Sequence, residues 1–251
     1  MSKEFSYRDY VDNNAHMSHY RQYQRRYAEN MRESDKALVK LVKEIVDANP
    51  GKSLDLLDIG CSTGNLLRHL KRHIPGLKLT GGDLAAGILE GCRQDLDLTG
   101  IHFEKMDLQD LEIEARFDII TVNAVLYIFR AEEFRTAIAN ISMALKPGGW
   151  FLTFDVFHPF EQELAIMEKS KMHPAGHMMH FRPYSQVRSV LETNDFTNIT
   201  FRPFEIPIDL PRTAGHEDIS SYTMRLDSGG KLIFRGVLVQ PWCHLAAQRR
   251  N

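Results

Sequence analysis

Along the chain, apolar positions first recur at helical spacing at Leu38, Leu41, Val42 and Ile45. They follow a polar lead that carries Tyr7, Tyr10, Tyr20, Tyr23 and Tyr27. The pattern predicts helices through the first fifty residues, closed by Asn49-Pro50-Gly51. Beyond that break, short apolar runs alternate with amphipathic stretches. The runs predict strands over 54–59, 78–82, 101–105, 117–123 and 150–155, and the stretches predict helices over 65–73, 86–94 and 132–145. Such alternation implies βαβ units, hence an α/β fold with a mostly parallel sheet and helices on both faces. A His- and Met-rich segment near 160–181 then breaks the rhythm, before a helix over 185–194 and a strand over 199–208. A second irregular stretch, 211–230, precedes a last strand over 231–239, which brings the expected sheet to seven strands. Gln240-Pro241-Trp242-Cys243-His244 is expected to pack at the sheet edge.

Composition narrows the class of protein. With 251 residues, 43% of them hydrophobic, the chain can bury one α/β core with additions. A net charge of -2 with interspersed signs offers no basic stripe for a phosphate backbone, so no nucleic-acid partner is expected. Cys61, Cys92 and Cys243 are too scattered for a disulfide framework or a close metal motif, which fits a reducing cytoplasm. No apolar run reaches the roughly 20 residues that cross a bilayer. The opening Met1-Ser2-Lys3-Glu4-Phe5-Ser6 also lacks the apolar centre of a signal peptide, so no membrane partner is expected.

The sharpest motif is Leu56-Leu57-Asp58-Ile59-Gly60-Cys61-Ser62-Thr63-Gly64-Asn65-Leu66, a buried strand running through a turn of small residues into a helix. Small residues admit a ligand close to the backbone, and a helix start offers unpaired N–H groups. Asp83 ends the next strand, where a carboxylate can accept from both hydroxyls of a ribose. Each feature alone has a plainer explanation: tight strand-to-helix packing for the turn, a helix cap for Asp83, a loop acid for Asp107, a strand-end pin for Asn123.

Taken in order, these residues resemble the class I methyltransferases that depend on S-adenosylmethionine (SAM), over about residues 54–155 and more weakly to the C-terminus. The resemblance implies a Rossmann-like fold, with an N-terminal helical cap over 1–49 and a SAM-binding domain over 50–251 whose insertions near 160–181 and 211–230 act as substrate lids. It implies that Asp58 and the turn Gly60, Ser62, Gly64 and Asn65 hold the methionine part of SAM, that Asp83 with Leu84 holds the ribose, and that Asp107, with Met106 and Leu108, holds the adenine. Asn123 would line the methionine end, and Leu145-Lys146-Pro147-Gly148-Gly149 also matches the family. Ser62 stands where the family's turn usually has its middle glycine. The same turn lacks the three spaced glycines of a dinucleotide dehydrogenase. Tyr20 and Tyr27 are the expected aromatic cover for the sulfonium, and an arginine among Arg25, Arg26 and Arg32 a partner for the methionine carboxylate.

Methyl transfer from a sulfonium needs alignment more than side-chain chemistry. An amine or hydroxyl acceptor still profits from a base, for which His158, expected to face the cleft, and Tyr127 are the candidates. His177, His180 and Arg182 are expected to contact substrate from the lid. His173, His177 and His180 could share one helical face as metal ligands, but Pro174 and Gly176 interrupt that helix and no carboxylate accompanies them, so no metal is expected. The expected function is methylation of an oxygen or nitrogen of a small metabolite by a monomer or homodimer. A macromolecule methyltransferase and a non-catalytic SAM-binding regulator are the alternatives. Against the former, Asn123-Ala124-Val125-Leu126 lacks the Pro-Pro-aromatic turn of base amino-group methylation.

Overall fold

The structure is a computed structural model that describes residues 6–8, 21–169, 176–205, 220–236 and 241–251. Five strands run in parallel: β1 (Asp55–Ile59), β2 (Lys78–Asp83), β3 (His102–Lys105), β4 (Phe117–Val122) and β5 (Leu145–His158). Between them lie the helices α1 (Glu33–Asp47, before β1), α2 (Asn65–His73), α3 (Ala86–Gln94) and α4 (Ala131–Ala144). The insertion after β5 forms β6 (Leu164–Glu168) and β7 (His177–Pro183), followed by α5 (Tyr184–Thr193) and β8 (Phe196–Pro203). The chain ends in a hairpin, β9 (Ser220–Arg225) with β10 (Lys231–Gly236), and β11 (Trp242–Arg249). In space the main sheet runs β3-β2-β1-β4-β5-β11-β8, with β11 antiparallel to both neighbours.

Side chains on a strand alternate between faces, and this sheet is covered on both. Leu56, Ile119 and Leu152 join the α1, α2 and α3 residues Leu38, Val42, Leu67, Leu70 and Leu89 on one face. Leu57, Ile120 and Phe151 join Phe134, Ile138, Val187 and Leu191 of α4 and α5 on the other. Nearly all of these are fully buried, so truncating one to alanine should cost about 2–5 kcal/mol. The edge opposite the site is pinned by charge. Lys146 donates to Asp118 at 2.7 Å and to Asp55 at 3.0 Å, and Asp118 also accepts from the Asp55 N–H at 2.8 Å, locking the starts of β1, β4 and β5 together.

Three expectations change. The last strand of the main sheet is β11, not the run 231–239: Lys231–Gly236 pairs with Ser220–Arg225 in a separate hairpin, while Trp242–Arg249 is an inner strand between β5 and β8. The segment near 160–181 is ordered extended chain where it is described. Its strands β6 and β7 pair antiparallel, and β7 continues β5 in parallel at Phe157 and His158. His177 and His180, three apart on a strand, therefore point to opposite faces and share no helical face. His173 lies outside the described residues.

Candidate cofactor and acceptor site

The C-terminal ends of β1, β2, β3, β4 and β5 open onto one cavity of about 530 Å³. β1 runs into the turn at Gly60, whose φ of 73° is the left-handed region and whose missing Cβ would lie 2.6 Å from a Val125 methyl. Ser62 also adopts a left-handed conformation, at φ 50°, which a residue with a Cβ enters at a cost of about 1–2 kcal/mol. Asp83 holds that turn in place: one carboxylate oxygen accepts from the Ser62 N–H at 2.9 Å and the other from the Ala85 N–H at 2.8 Å. The buried hydroxyls of Ser62 and Thr63 have no hydrogen-bond partner among the described residues, although both residues line the cavity. Backbone strain and orphaned donors concentrated on one turn mark a place built for a polar ligand.

Asp58, Asp83 and Asp107 stand in order at the cavity floor. Asp58 is buried, accepts from the Thr121 hydroxyl at 2.7 Å, and is pushed up to about 7 by burial first and by Asp35 and Asp83 after it. Burial also raises Asp83. Asp107, at the far end, accepts from the Tyr7 hydroxyl at 2.9 Å, Arg8 at 2.8 Å and the Gln109 N–H at 3.0 Å. Leu84, Met106, Leu108, Asn65 and Asn123 line the same cavity, so most of the residues proposed from the motif converge. Gly64 is not in the wall; it starts α2 at φ 72°. Asn65 has a second task, donating to the Gln24 carbonyl at 2.9 Å and so tying the N-terminal segment to α2.

Of the N-terminal aromatics, Tyr7 and Tyr23 line the cavity, whereas Tyr27 does not. The Tyr27 ring lies 3.9 Å beneath the Arg32 guanidinium and its hydroxyl is 3.1 Å from that of Tyr23, so it supports the wall from behind. Tyr20 lies outside the described residues. Arg32 itself faces the cavity and donates to the Gln24 side chain at 2.8 Å.

On the other side the wall is aromatic: Tyr127, Phe129, Phe154 and Trp242. Phe154 stacks on Trp242 at 4.8 Å, and the Tyr127 ring meets Trp242 edge-on at 6.0 Å. His158 does not reach this space. It is 1% exposed at the end of β5, turned toward the β7 side, with burial lowering its pKa. His177 packs behind Tyr127 at 5.7 Å, and His180 is half-buried on β7 outside the wall. Arg182 corrects the expectation most sharply. Fully buried, it donates to the carbonyls of Leu126, at 3.2 Å, and Phe129, and stacks 4.4 Å over Phe134. It braces the 125–129 turn and has no route to substrate. Trp242 and Asp35, not proposed from the sequence, join the wall because β11 and α1 bring them there, and Tyr23 joins it from the helical turn before α1.

Residues 56–149 match a family model described as a methyltransferase domain. The malonyl-[acyl-carrier protein] O-methyltransferase of Acetivibrio thermocellus is 26% identical over 122 residues, 49% of this chain and 42% of that protein. The chain spans less than half the length of the first curated relatives it matches. Among solved structures, the Burkholderia thailandensis 1,6-didemethyltoxoflavin-N1-methyltransferase, bound to its substrate and S-adenosylhomocysteine, is 15% identical with a TM-score of 0.58, covering all of this chain and 93% of that one. Human N-acetylserotonin methyltransferase, in complex with SAM, is 13% identical with a TM-score of 0.62, covering all of this chain and 60% of that one. At such identities these structures show the shared fold.

Proposed function

We propose that this chain is a class I SAM-dependent methyltransferase and that it transfers the methyl group of SAM to an oxygen or nitrogen of a small molecule. One observation carries the reading: three carboxylates at successive strand ends, with a strained turn whose hydroxyls lack partners among the described residues, surround one cavity closed on its far side by aromatic rings. The residues fit the cofactor. Asp107 would meet the adenine, Asp83 the ribose hydroxyls, and the 60–65 turn with Asp58 and Asn123 the methionine part. The cofactor brings an electrophilic methyl on a sulfonium whose departure leaves a neutral thioether. The protein's share is to exclude water, align the acceptor and place π faces near the positive charge, which Tyr23, Tyr127, Phe154 and Trp242 are positioned to do.

On this reading α1 and the turns before it close one side of the cavity, as a cap over residues 1–49 set on a catalytic domain of 50–251. Tyr127, the one sequence-proposed base found in the wall, would then be the candidate to meet the acceptor. The curated relatives include O-methyltransferases named for malonyl-[acyl-carrier protein] and for fatty acids, and the solved structure that holds 1,6-didemethyltoxoflavin is an N1-methyltransferase. Three buried free thiols, Cys61, Cys92 and Cys243, favour a reducing compartment such as the cytoplasm. Among the described residues, no helix is long and apolar enough to cross a membrane. The test is incubation of the protein with methyl-deuterated SAM and fractionated metabolites, read by mass spectrometry. Label in a small molecule is expected; label found only in RNA or protein would reassign the acceptor, and no stabilisation by S-adenosylhomocysteine would overturn the cofactor.

A further inference from the structure

Asp35 enters the cavity wall from the first turn of α1 and is 9% exposed. No residue among those described donates a hydrogen bond to it or pairs with it, although a helix start so placed favours a negative charge. Asp58 lies deeper in the same cavity with Thr121 as its donor, and Asp83 is committed to the backbone of the turn. Arg32 is the sole cation among the described residues of the wall, and its guanidinium donates to Gln24 and lies over the face of Tyr27. His69 lies behind, 2.9 Å from the Tyr27 carbonyl. Asp107, by contrast, has Arg8 at 2.8 Å. The cavity thus holds two desolvated carboxylates, Asp35 and Asp58; Arg32 and His69 ease Asp35 from a distance, but neither carboxylate has an ion pair among the described residues, an arrangement that is costly until a positive group fills it.

We propose that Asp35, backed by Asp58, is a binding residue for an alkylammonium group. The inference rests on the cofactor reading above. That reading offers two sources for the same chemistry: the α-ammonium of the cofactor's methionine part, or an amino group on the acceptor. Burial raises the pKa of both carboxyls and Asp35 raises that of Asp58 further, which is the electrostatic cost that a bound cation would reverse. Arg32, three residues earlier in the same segment, gives one terminal nitrogen to Gln24 and lines the cavity, so its other N–H groups would serve the carboxylate of the same methionine group, and one short stretch of chain meets both charges of an amino acid.

Calorimetry on the wild type and Asp35→Asn decides it, using S-adenosylhomocysteine, 5′-methylthioadenosine (which lacks the amino-acid part) and 2-phenylethylamine added to protein saturated with S-adenosylhomocysteine. Loss of a charge-assisted contact predicts an affinity for S-adenosylhomocysteine about 10- to 100-fold weaker in the variant. Affinity for 5′-methylthioadenosine should change less than about twofold, and the melting temperature without ligand should hold or rise because a buried, unpaired carboxylate is gone. If S-adenosylhomocysteine binds both proteins equally and only the wild type takes up 2-phenylethylamine, the ammonium belongs to the acceptor. Equal loss for S-adenosylhomocysteine and 5′-methylthioadenosine, or no difference with any probe, overturns the assignment. A wild type that binds neither nucleoside would instead fail the cofactor reading itself.

Discussion

Substituting Asp58 by Asn tests the electrostatics of the cavity with a magnitude fixed in advance. Burial, then Asp35 and Asp83, push the Asp58 carboxyl up to about 7, against an ordinary value of 3.8. The native state therefore keeps a proton on this group that the unfolded chain has already released. Stability present below pH about 4 is lost progressively as pH rises toward 7 and is flat above it. Between pH 5 and 8 the group crosses about two units below its folded value, each worth about 1.4 kcal/mol, so it removes about 3 kcal/mol. Asn keeps the acceptor for the Thr121 hydroxyl but has no charge to bury. Urea denaturation of both proteins at pH 5, 6, 7 and 8 should show Asp58→Asn gaining on the wild type by about 3 kcal/mol across the series, the common contribution of Asp155, raised to about 6, cancelling in the difference. A difference that stays constant with pH would refute the assigned burial.

Three further outcomes follow from particular contacts. Ser62→Gly should stabilise the protein by about 1 kcal/mol, or roughly 2–4 °C in Tm, since φ 50° carries no steric cost for glycine and the serine hydroxyl makes no hydrogen bond among the described residues; scanning calorimetry measures it. Asp83→Ala should weaken S-adenosylhomocysteine at least tenfold in calorimetry, because it removes the acceptor for the Ser62 and Ala85 N–H groups as well as a ribose partner. Arg182→Met should destabilise by about 3–5 kcal/mol in urea unfolding, as it leaves the Leu126 and Phe129 carbonyls and the Asp155 carboxylate without their buried cation.

The cofactor half of the site was legible because its signals are local: a strand ending in Asp58, a small-residue turn, then acids at the ends of the next two strands, each placed by the same βα rhythm. The acceptor half depends on long-range pairing that periodicity does not carry. β11 is buried on both faces between β5 and β8, so Trp242-Cys243-His244-Leu245-Ala246-Ala247 shows none of the alternation that draws the eye to 231–239, whose described part, Lys231–Gly236, belongs to a separate hairpin with Ile233 exposed. Tyr23 and Tyr27, four apart on one helical face, were indistinguishable by spacing; the contact with Arg32 turns one into support and leaves the other in the wall. Arg182 resembled a lid cation because charge in an irregular segment usually means solvent, but the segment is a sheet extension and the charge is in its interior.

That buried arginine gives the insertion a structural meaning. The turn after β4 begins with Ala124 at φ 53°, and its Val125 and Leu126 N–H groups donate to Asp155 of β5 at 3.2 and 2.8 Å. Its carbonyls at Leu126 and Phe129 accept from Arg182 of β7. One backbone turn is thus gripped on its donor side by a carboxylate and on its acceptor side by a guanidinium. Tyr127, Ile128 and Phe129, which face the cavity, sit on that turn. The position of the acceptor wall therefore depends on β7, and β7 exists only because the insertion folds back to pair with β6 and extend β5. A segment that composition marks as a lid is, in its described part, the brace that fixes the acceptor's side of the cavity, so changes in the β6–β7 hairpin should register at Tyr127 without touching the cofactor's carboxylates.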